Sequence, residues 1–351
     1  TLYTGSGRVA GTVINQFALS EHEGVLRVAT TTGQWGRWWM DDPEPMSSQL
    51  VTLVRSMDVD TQQQRLVEAG KVEGIAPGER IWSARFDGDR AYIVTFEQID
   101  PLWVIDVSDE TNPTILGELK VPGVSTYIHP LSRDHLLTIG LAPANEDGTG
   151  LDWSGTQISL FDIADPANPE QAAALRLSPV SEDQANTWMW SWSEASYESK
   201  AFQYWAPKSM LAIPLSTYRY VQPTPETWDY QYVSKLMLVE VNESNGTLSL
   251  YGEVNHSSFY EAGDERSWWD DRNIRRSVFM GDFVYAFSSA GITVTNLTTL
   301  EESDRERIPH SSIYDQYAYE DAVLMESEGE ERDGEGSGSS EGSSSSEPSR
   351  D

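Results

Sequence analysis

The sequence predicts an all-β fold assembled from a repeated four-stranded unit, and three observations carry that expectation. Helical periodicity is almost absent from the chain. Short alternating or apolar runs bounded by Gly, Asp, Asn and Pro recur from end to end, the pattern of strands and turns. One set of four such runs also returns several times in the same order, as a repeat architecture requires.

The clearest copy spans Arg80 to Gly123. It reads IWSARF, a tight turn at Asp87-Gly88-Asp89, AYIVTFE, LWVIDV, a turn through SDETNP, and TILGELKV. Four strands in about 45 residues is the size of a propeller blade. An earlier copy from Ile14 reads INQFALS, VLRVATT, QLVTLVRSMD and QRLVEAGKVEG, with a long insertion after its second strand. From Thr126 the unit reads TYIHPL, HLLTIGL, QISLFDIAD and AAALRLS; a further copy reads AFQYW, MLAIPLS, KLMLVEV and TLSLYGEV; the last reads RRSVFM, FVYAFS and GITVTNL, then decays, with Arg305 to Ile308 as a short final strand.

The expected blades are therefore about 12–78, 79–123, 124–180, 187–257 and 272–310. Together they make a β-propeller of at least five four-stranded blades over residues 1–310. Two smaller marks support the alignment. Gly7-Arg8-Val9-Ala10-Gly11 matches Gly70-Lys71-Val72-Glu73-Gly74 at the end of a fourth strand, and VIDVSDETNP matches FDIADPANP after a third, where Asp and Asn before Pro supply turn chemistry. Residues 2–10 then read as the outer strand of a preceding or closing blade, so the chain either closes a five-bladed ring or forms part of a larger propeller. The residues after Glu326 are acidic, Ser/Gly-rich and of low complexity, and 326–351 reads as a disordered tail or linker.

The run FEQIDPLWVIDVSDETNPTILGELKVPGVSTYIHPLSRDHLLTIG, with GIAPGERIWSARFDGDRAYIV before it and EASYESKAF (Glu194 to Phe202) after it, resembles the secreted bacterial and archaeal proteins with a C-terminal β-propeller, distant relatives of the tryptophan-aspartate repeat propellers. The resemblance implies a propeller exported to the cell envelope or the exterior, often within a longer protein. It implies no reaction. The Trp-rich insertions depart from the compact loops of that family, so their role does not transfer.

Composition narrows the partners. The formal charge of −32 disfavours nucleic acid and anionic membrane surfaces, which need clustered Lys and Arg. The segment from Glu320 to Asp351 holds eleven acids and two arginines, leaving about −23 on the body of the chain. Only five of the 24 basic residues are Lys, so the acidity also fits a bias of salty habitat or base composition. There is no Cys, hence no disulfide framework and no thiolate site. No apolar run reaches the length of a membrane span, so membrane insertion by this chain is not expected. The opening TLYTGSGRVAG has neither an initiator Met nor a signal-peptide pattern, and reads as processed or cut.

With strands alternating in direction, second-to-third and fourth-to-first connections emerge on one face of a propeller. Five long insertions fall in such connections: Gly33 to Met46, Ala142 to Gly155, Pro179 to Trp192, Thr217 to Tyr232 and His256 to Asp271. They hold ten of the 13 tryptophans, the nine besides Trp153 being Trp35, Trp38, Trp39, Trp188, Trp190, Trp192, Trp228, Trp268 and Trp269. Ten indoles cannot all stand in water at about 25 cal/mol per Å² of apolar surface. Either the loops pack together as a lid, or they line a groove for a ligand, or they meet a further domain. The stretch TWMWSW, if extended, throws its three indoles to one side.

Acids interleave with these rings, which suits a sugar or a basic peptide. Asn145 to Asp152, NEDGTGLD, superficially resembles a calcium loop, making Asp147 and Asp152 weak candidate ligands and calcium a possible cofactor, although the EF-hand spacing is missing. No HExxH, GxSxG, P-loop or dinucleotide fingerprint occurs. Arg80, Arg85, His129, Lys200, Arg275 and Arg276 fall on or near the first strands of their units, where they either line a central channel or pair with acids between blades. The expected function is a non-catalytic, extracytoplasmic binding or scaffold module that takes a protein, peptide or glycan on its Trp- and acid-rich loop face. The alternative is a glycan-active hydrolase, with Asp41, Asp152 and Asp270 as candidate acids on that face.

Overall fold

The computed structural model describes residues 3, 5–33, 45–57, 63–96, 100–178, 187–224, 226–259 and 273–308. The chain divides into two units, 1–307 and 308–351, and every described strand lies in the first.

Five antiparallel sheets follow one another along the chain. Blade 1 holds β1 (Leu19–His22), β2 (Val25–Thr32), β3 (Ser47–Met57) and β4 (Gln64–Ile75). Blade 2 holds β5 (Arg80–Asp87), β6 (Arg90–Phe96), β7 (Asp100–Asp106) and β8 (Thr114–Val121). Blade 3 holds β9 (Val124–Pro130), β10 (His135–Pro143), β11 (Leu151–Asp162) and β12 (Glu170–Arg176). Blade 4 holds β13 (Thr187–Trp192), β14 (Gln203–Trp205), β15 (Met210–Thr224), β16 (Thr227–Asn242) and β17 (Thr247–Asn255). Blade 5 holds β18 (Arg276–Met280), β19 (Phe283–Phe287), β20 (Gly291–Asn296) and β21 (Glu302–Arg307). In four blades the strands pair strictly in chain order. The fold is a β-propeller of at least five four-stranded blades.

The core lies between blades. On β10, Leu136 packs with Tyr92, Val94 and Val104 of blade 2, whereas its neighbour Leu137 packs with Leu211, Ile213 and Val239 of blade 4. Successive side chains of a strand point to opposite faces, and both faces here are buried. That is why HLLTIGL is a continuous apolar run instead of an alternating one. The same division recurs where Met210 and Ala212 face blade 5 while Leu211 and Ile213 face blade 3. Each buried Leu or Ile contributes roughly 1.5–3 kcal/mol relative to exposure.

The outermost strands carry a register shift in all five blades, as at Val104/Ile105 against β8 and at Thr52/Leu53 against β4. The glycines beside two of these bulges have a packing reason. A Cβ on Gly70 would lie 2.5 Å from the backbone of Thr111, and one on Gly117 would collide with the carbonyl of Pro166. Thus the turn between the third and fourth strands of each next blade seats on the outer strand of the one before. Those turns are held by the acids read from sequence: Asp106 and Asp109 accept from the backbone N–H groups of Ser108 and Thr111, and Asp162 and Asp165 from Ala164 and Ala167.

The segment read as an outer strand of another blade lies against blade 1. Ser6 bridges Arg65 of β4 in parallel, Ala10 C=O accepts from Thr30 and Gln49, and Val9 packs on Val28, Val51 and Leu53. It covers the face of blade 1 that turns away from blade 2.

Candidate functional site

Blade 4 departs from the repeat. Its first strand is split: β14 pairs with Met210–Ala212 of β15, and β13 with Ser216–Val221 further along the same strand. Two short 3-10 turns, Glu194–Ser196 and Ser199–Ala201, join them. The stretch TWMWSW, expected as a connection, is therefore β13, a full strand. Likewise Thr217 to Tyr232, expected as a loop, is the outer half of a hairpin in which β15 and β16 run 15 and 16 residues. Only its tip turns, with Thr224 and Thr227 hydroxyls 2.6 Å apart.

Period-two alternation on these strands gathers the aromatics. In register, Trp190 lies opposite Tyr218, itself opposite Tyr232; Trp188 lies opposite Tyr220, itself opposite Tyr230. The Trp192 ring stacks on Tyr218 at 5.3 Å and sits 6.4 Å from Tyr232, while Tyr218 and Tyr232 are 4.9 Å apart. Tyr220 stacks on Trp228 at 4.4 Å. The alternate residues of the same strands are the buried side: Ser191 and Thr217 share a 2.9 Å hydroxyl contact. Trp190 and Trp228 stay 40% and 50% exposed.

A second aromatic group adjoins this one. Trp82, at the β5 bulge between Ile81 and Ser83, lies 5.7 Å from Phe96 and 6.3 Å from Trp153, and the Arg80 guanidinium sits 4.8 Å over its ring. Trp153 is 58% exposed. Its neighbour Ser154 accepts, through Oγ, the backbone N–H of Ser191, which sits between Trp190 and Trp192. Blades 3 and 4 thus carry the exposed rings Trp153, Trp190 and Trp228, with the half-buried Trp82 of blade 2 beside Trp153.

Of the sequence-predicted residues, Trp190, Trp192 and Trp228 join this surface. Trp188 is placed by its β13 backbone alone; Trp35, Trp38, Trp39, Trp268 and Trp269 lie outside the described residues, as do Asp41 and Asp270. Tyr218, Tyr220, Tyr232 and Trp82 were missed; the alternation Tyr218/Tyr220 and Trp228/Tyr230/Tyr232 was the signal for the first three. The two calcium candidates are otherwise engaged. Asp147 Oδ1 accepts from the backbone and hydroxyl of Thr149, and Asp152 is ion-paired to Arg176 on β12 and accepts from Ser154 N–H. Among the described residues no group of three or more His, Asp or Glu side chains is placed to hold a metal.

The basic residues of the first strands divide. Arg275 and Arg276 both grip Glu194, with Arg275 Nε and Nη2 on its two oxygens at 2.9 and 3.0 Å and Arg276 Nη1 at 2.8 Å. This clamp ties blade 4 to blade 5. Burial pushes the Glu194 carboxyl up, but the two guanidinium groups outweigh it and hold it below the usual range. His256, fully buried after β17, contacts Thr293 Oγ1 at 2.7 Å and Ser288 Oγ at 3.3 Å on blade 5, and burial pushes it down to about 4.

Residues 1–300 match the β-propeller domain family, and the chain belongs to it. It is 37% identical over 216 residues to an uncharacterized protein of Methanocaldococcus jannaschii, covering 62% of this chain and 29% of that protein. It is 30% identical over 247 residues to an uncharacterized protein of Archaeoglobus fulgidus, covering 70% and 32%. The chain thus spans about a third of the length of these curated relatives. Among solved structures it is similar to Chaetomium thermophilum Sqt1 bound to the N-terminus of ribosomal protein L10, with TM-score 0.36 and 11% identity over 83% of this chain and 74% of that one. It is also similar to the propeller domain of Cps50 (Swd1) from Myceliophthora thermophila, with TM-score 0.33 and 10% identity over 88% and 90%.

Proposed function

We propose that this chain is a non-catalytic, extracytoplasmic binding module that engages an extended, basic segment of a protein partner on the aromatic face of blades 2 to 4. One observation carries the reading: Trp153, Trp190 and Trp228 remain 58%, 40% and 50% exposed, although Trp153 and Trp228 each touch another ring. A lid packed against itself would bury them, whereas exposed rings held by a rigid sheet are the usual makings of a protein interface. The choice of a basic partner rests on the net charge of −32 and on cation–π attraction to Trp faces. The exported location rests on the family resemblance of the blade repeats.

The test is an array of basic and neutral peptides probed with the intact chain and with Trp190→Ala and Trp228→Ala. The reading expects a subset of basic peptides to bind and each substitution to weaken them about tenfold, in the range of interface hot spots. Binding of polysaccharides with release of reducing ends would replace it with the hydrolase reading.

A further inference from the structure

A second place in the molecule gathers polar groups that no other described residue satisfies. Phe17, just before β1, lies 5.3 Å edge-on to Tyr127 of β9, and the Arg85 guanidinium of β5 sits 5.0 Å over the Phe17 ring. Tyr127 is 5.2 Å from Phe202, and His129, two residues along β9, is 5.4 Å from Phe202 and 5.8 Å from Tyr204 of β14. The group spans the first strands of blades 2, 3 and 4 and the segment leading into that of blade 1. First strands of successive blades contact one another, β5 against β9 and β14 against β18, as strands nearest a propeller axis do.

Within it, the Arg85 guanidinium, the Tyr127 hydroxyl and the ring nitrogens of His129 make no hydrogen bond or ion pair to any other described residue, and none of their nitrogens or oxygens is sealed from solvent. All three residues are half-buried. Arg275 and Arg276, by contrast, share a carboxylate. In a chain with 56 acids and 24 Lys and Arg, a half-buried Arg with no acid partner among the described residues asks for a ligand. Arg85 is also the sole charge that perturbs Tyr127 and His129, beyond their burial.

We infer that this collar binds a carboxylate carried beside a flat apolar group, either a free aromatic acid or the C-terminus of a peptide ending in an aromatic residue. A guanidinium offers a fork of donors that matches a carboxylate bidentately. Tyr127 O–H and the single N–H of a neutral imidazole add donors. Phe17, half-buried beside them, takes the apolar part of the ligand edge-on, while the buried Phe202 backs Tyr127 and His129 from the core. The site is independent of the loop face.

Calorimetric titration of the intact chain tests it, with benzoate against benzamide and Gly-Gly-Phe against its C-terminal amide. At least one of the two acids should bind saturably in the millimolar range or tighter, and its amide at least about tenfold more weakly, because the charge-assisted bonds are lost. Arg85→Gln should weaken the acid by about tenfold or more and Tyr127→Phe by a few-fold, while Trp228→Ala should leave it unchanged. Thermal melts establish that the variants are folded, and Arg85→Lys, which keeps the charge without the fork, should fall between wild type and Arg85→Gln. No saturable binding of either acid, equal binding of acid and amide, or binding indifferent to Arg85→Gln in a folded variant would overturn the inference. Benzoate alone binding assigns the site to a free acid; Gly-Gly-Phe binding assigns it to a peptide terminus.

Discussion

Tyr220 and Trp228 lie parallel across the β15–β16 hairpin, their ring centroids 4.4 Å apart and their planes inclined by only 3°. The pair sits on the outer half of the hairpin, beyond the reach of β17, which pairs β16 only from Lys235 onward. Aromatic stacking of this kind is worth about 1 kcal/mol beyond area burial, and Trp228 is half exposed. Trp228→Ala should therefore cost only about 1–2 kcal/mol in a urea melt and leave the far-UV spectrum intact, while weakening binding of the basic peptides about tenfold.

The blade-to-blade seat at Gly117 should be far less forgiving than its exposure suggests. Any side chain there meets the backbone of Pro166 and Ala167, which cannot rotate aside as a side chain would. Gly117→Ala should destabilise the protein by about 1–3 kcal/mol, the usual cost of overpacking, although helix and strand propensities favour Ala. Equal stability of the variant in chemical denaturation would contradict the seat.

Glu194 is 8% exposed and its partners Arg275 and Arg276 are 51% and 34% exposed. Removing one partner of a fully buried pair costs about 3–5 kcal/mol, and solvent at the guanidinium side lowers that here, so Glu194→Gln should cost about 2 kcal/mol. Its carboxyl is held below its ordinary value of 4.5. The stabilisation is therefore present above that pH and is lost as pH falls through the depressed value. Glu194→Gln should lose stability near neutral pH and show a shallower decline below pH 4.5 than wild type.

His256 predicts a separate window. Burial lowers it from 6.5 to about 4, so between those values the unfolded chain takes up a proton that the folded protein refuses. Stability falls as pH drops through this range, by on the order of 3 kcal/mol for the full shift. His256→Gln should flatten the urea midpoint between pH 6.5 and 4 while lowering it at pH 7 through the altered contacts with Thr293 and Ser288.

The blades were legible in the sequence because both faces of each sheet are buried, which forces apolar runs such as HLLTIGL and MLAIPLS, and because Asp106 and Asp162 close the same turn in successive copies. The split first strand of blade 4 was not. Pro223 and a second proline two residues later made the hairpin tip look like loop, and TWMWSW shows its alternation only when its partner, Ser216–Val221, is known. The partner of the calcium candidate Asp152 was hidden for a similar reason, since Arg176, which engages it, comes from the neighbouring outer strand. Of the carboxylate collar, only Arg85 and His129 stood out in the sequence, as basic residues of first strands; Phe17, Tyr127 and Phe202 come from three different blades, and nothing local in the chain links them to these two.

The aromatic rows of blade 4 are proposed to form an open surface that holds a partner. Binding of the intact chain to a basic peptide array, compared with the Trp190→Ala/Trp228→Ala double variant, tests it most directly. A discrete set of basic peptides should be retained by the wild type and lost by the folded double variant. Peptides held equally by both proteins, or none held by the wild type, would contradict it.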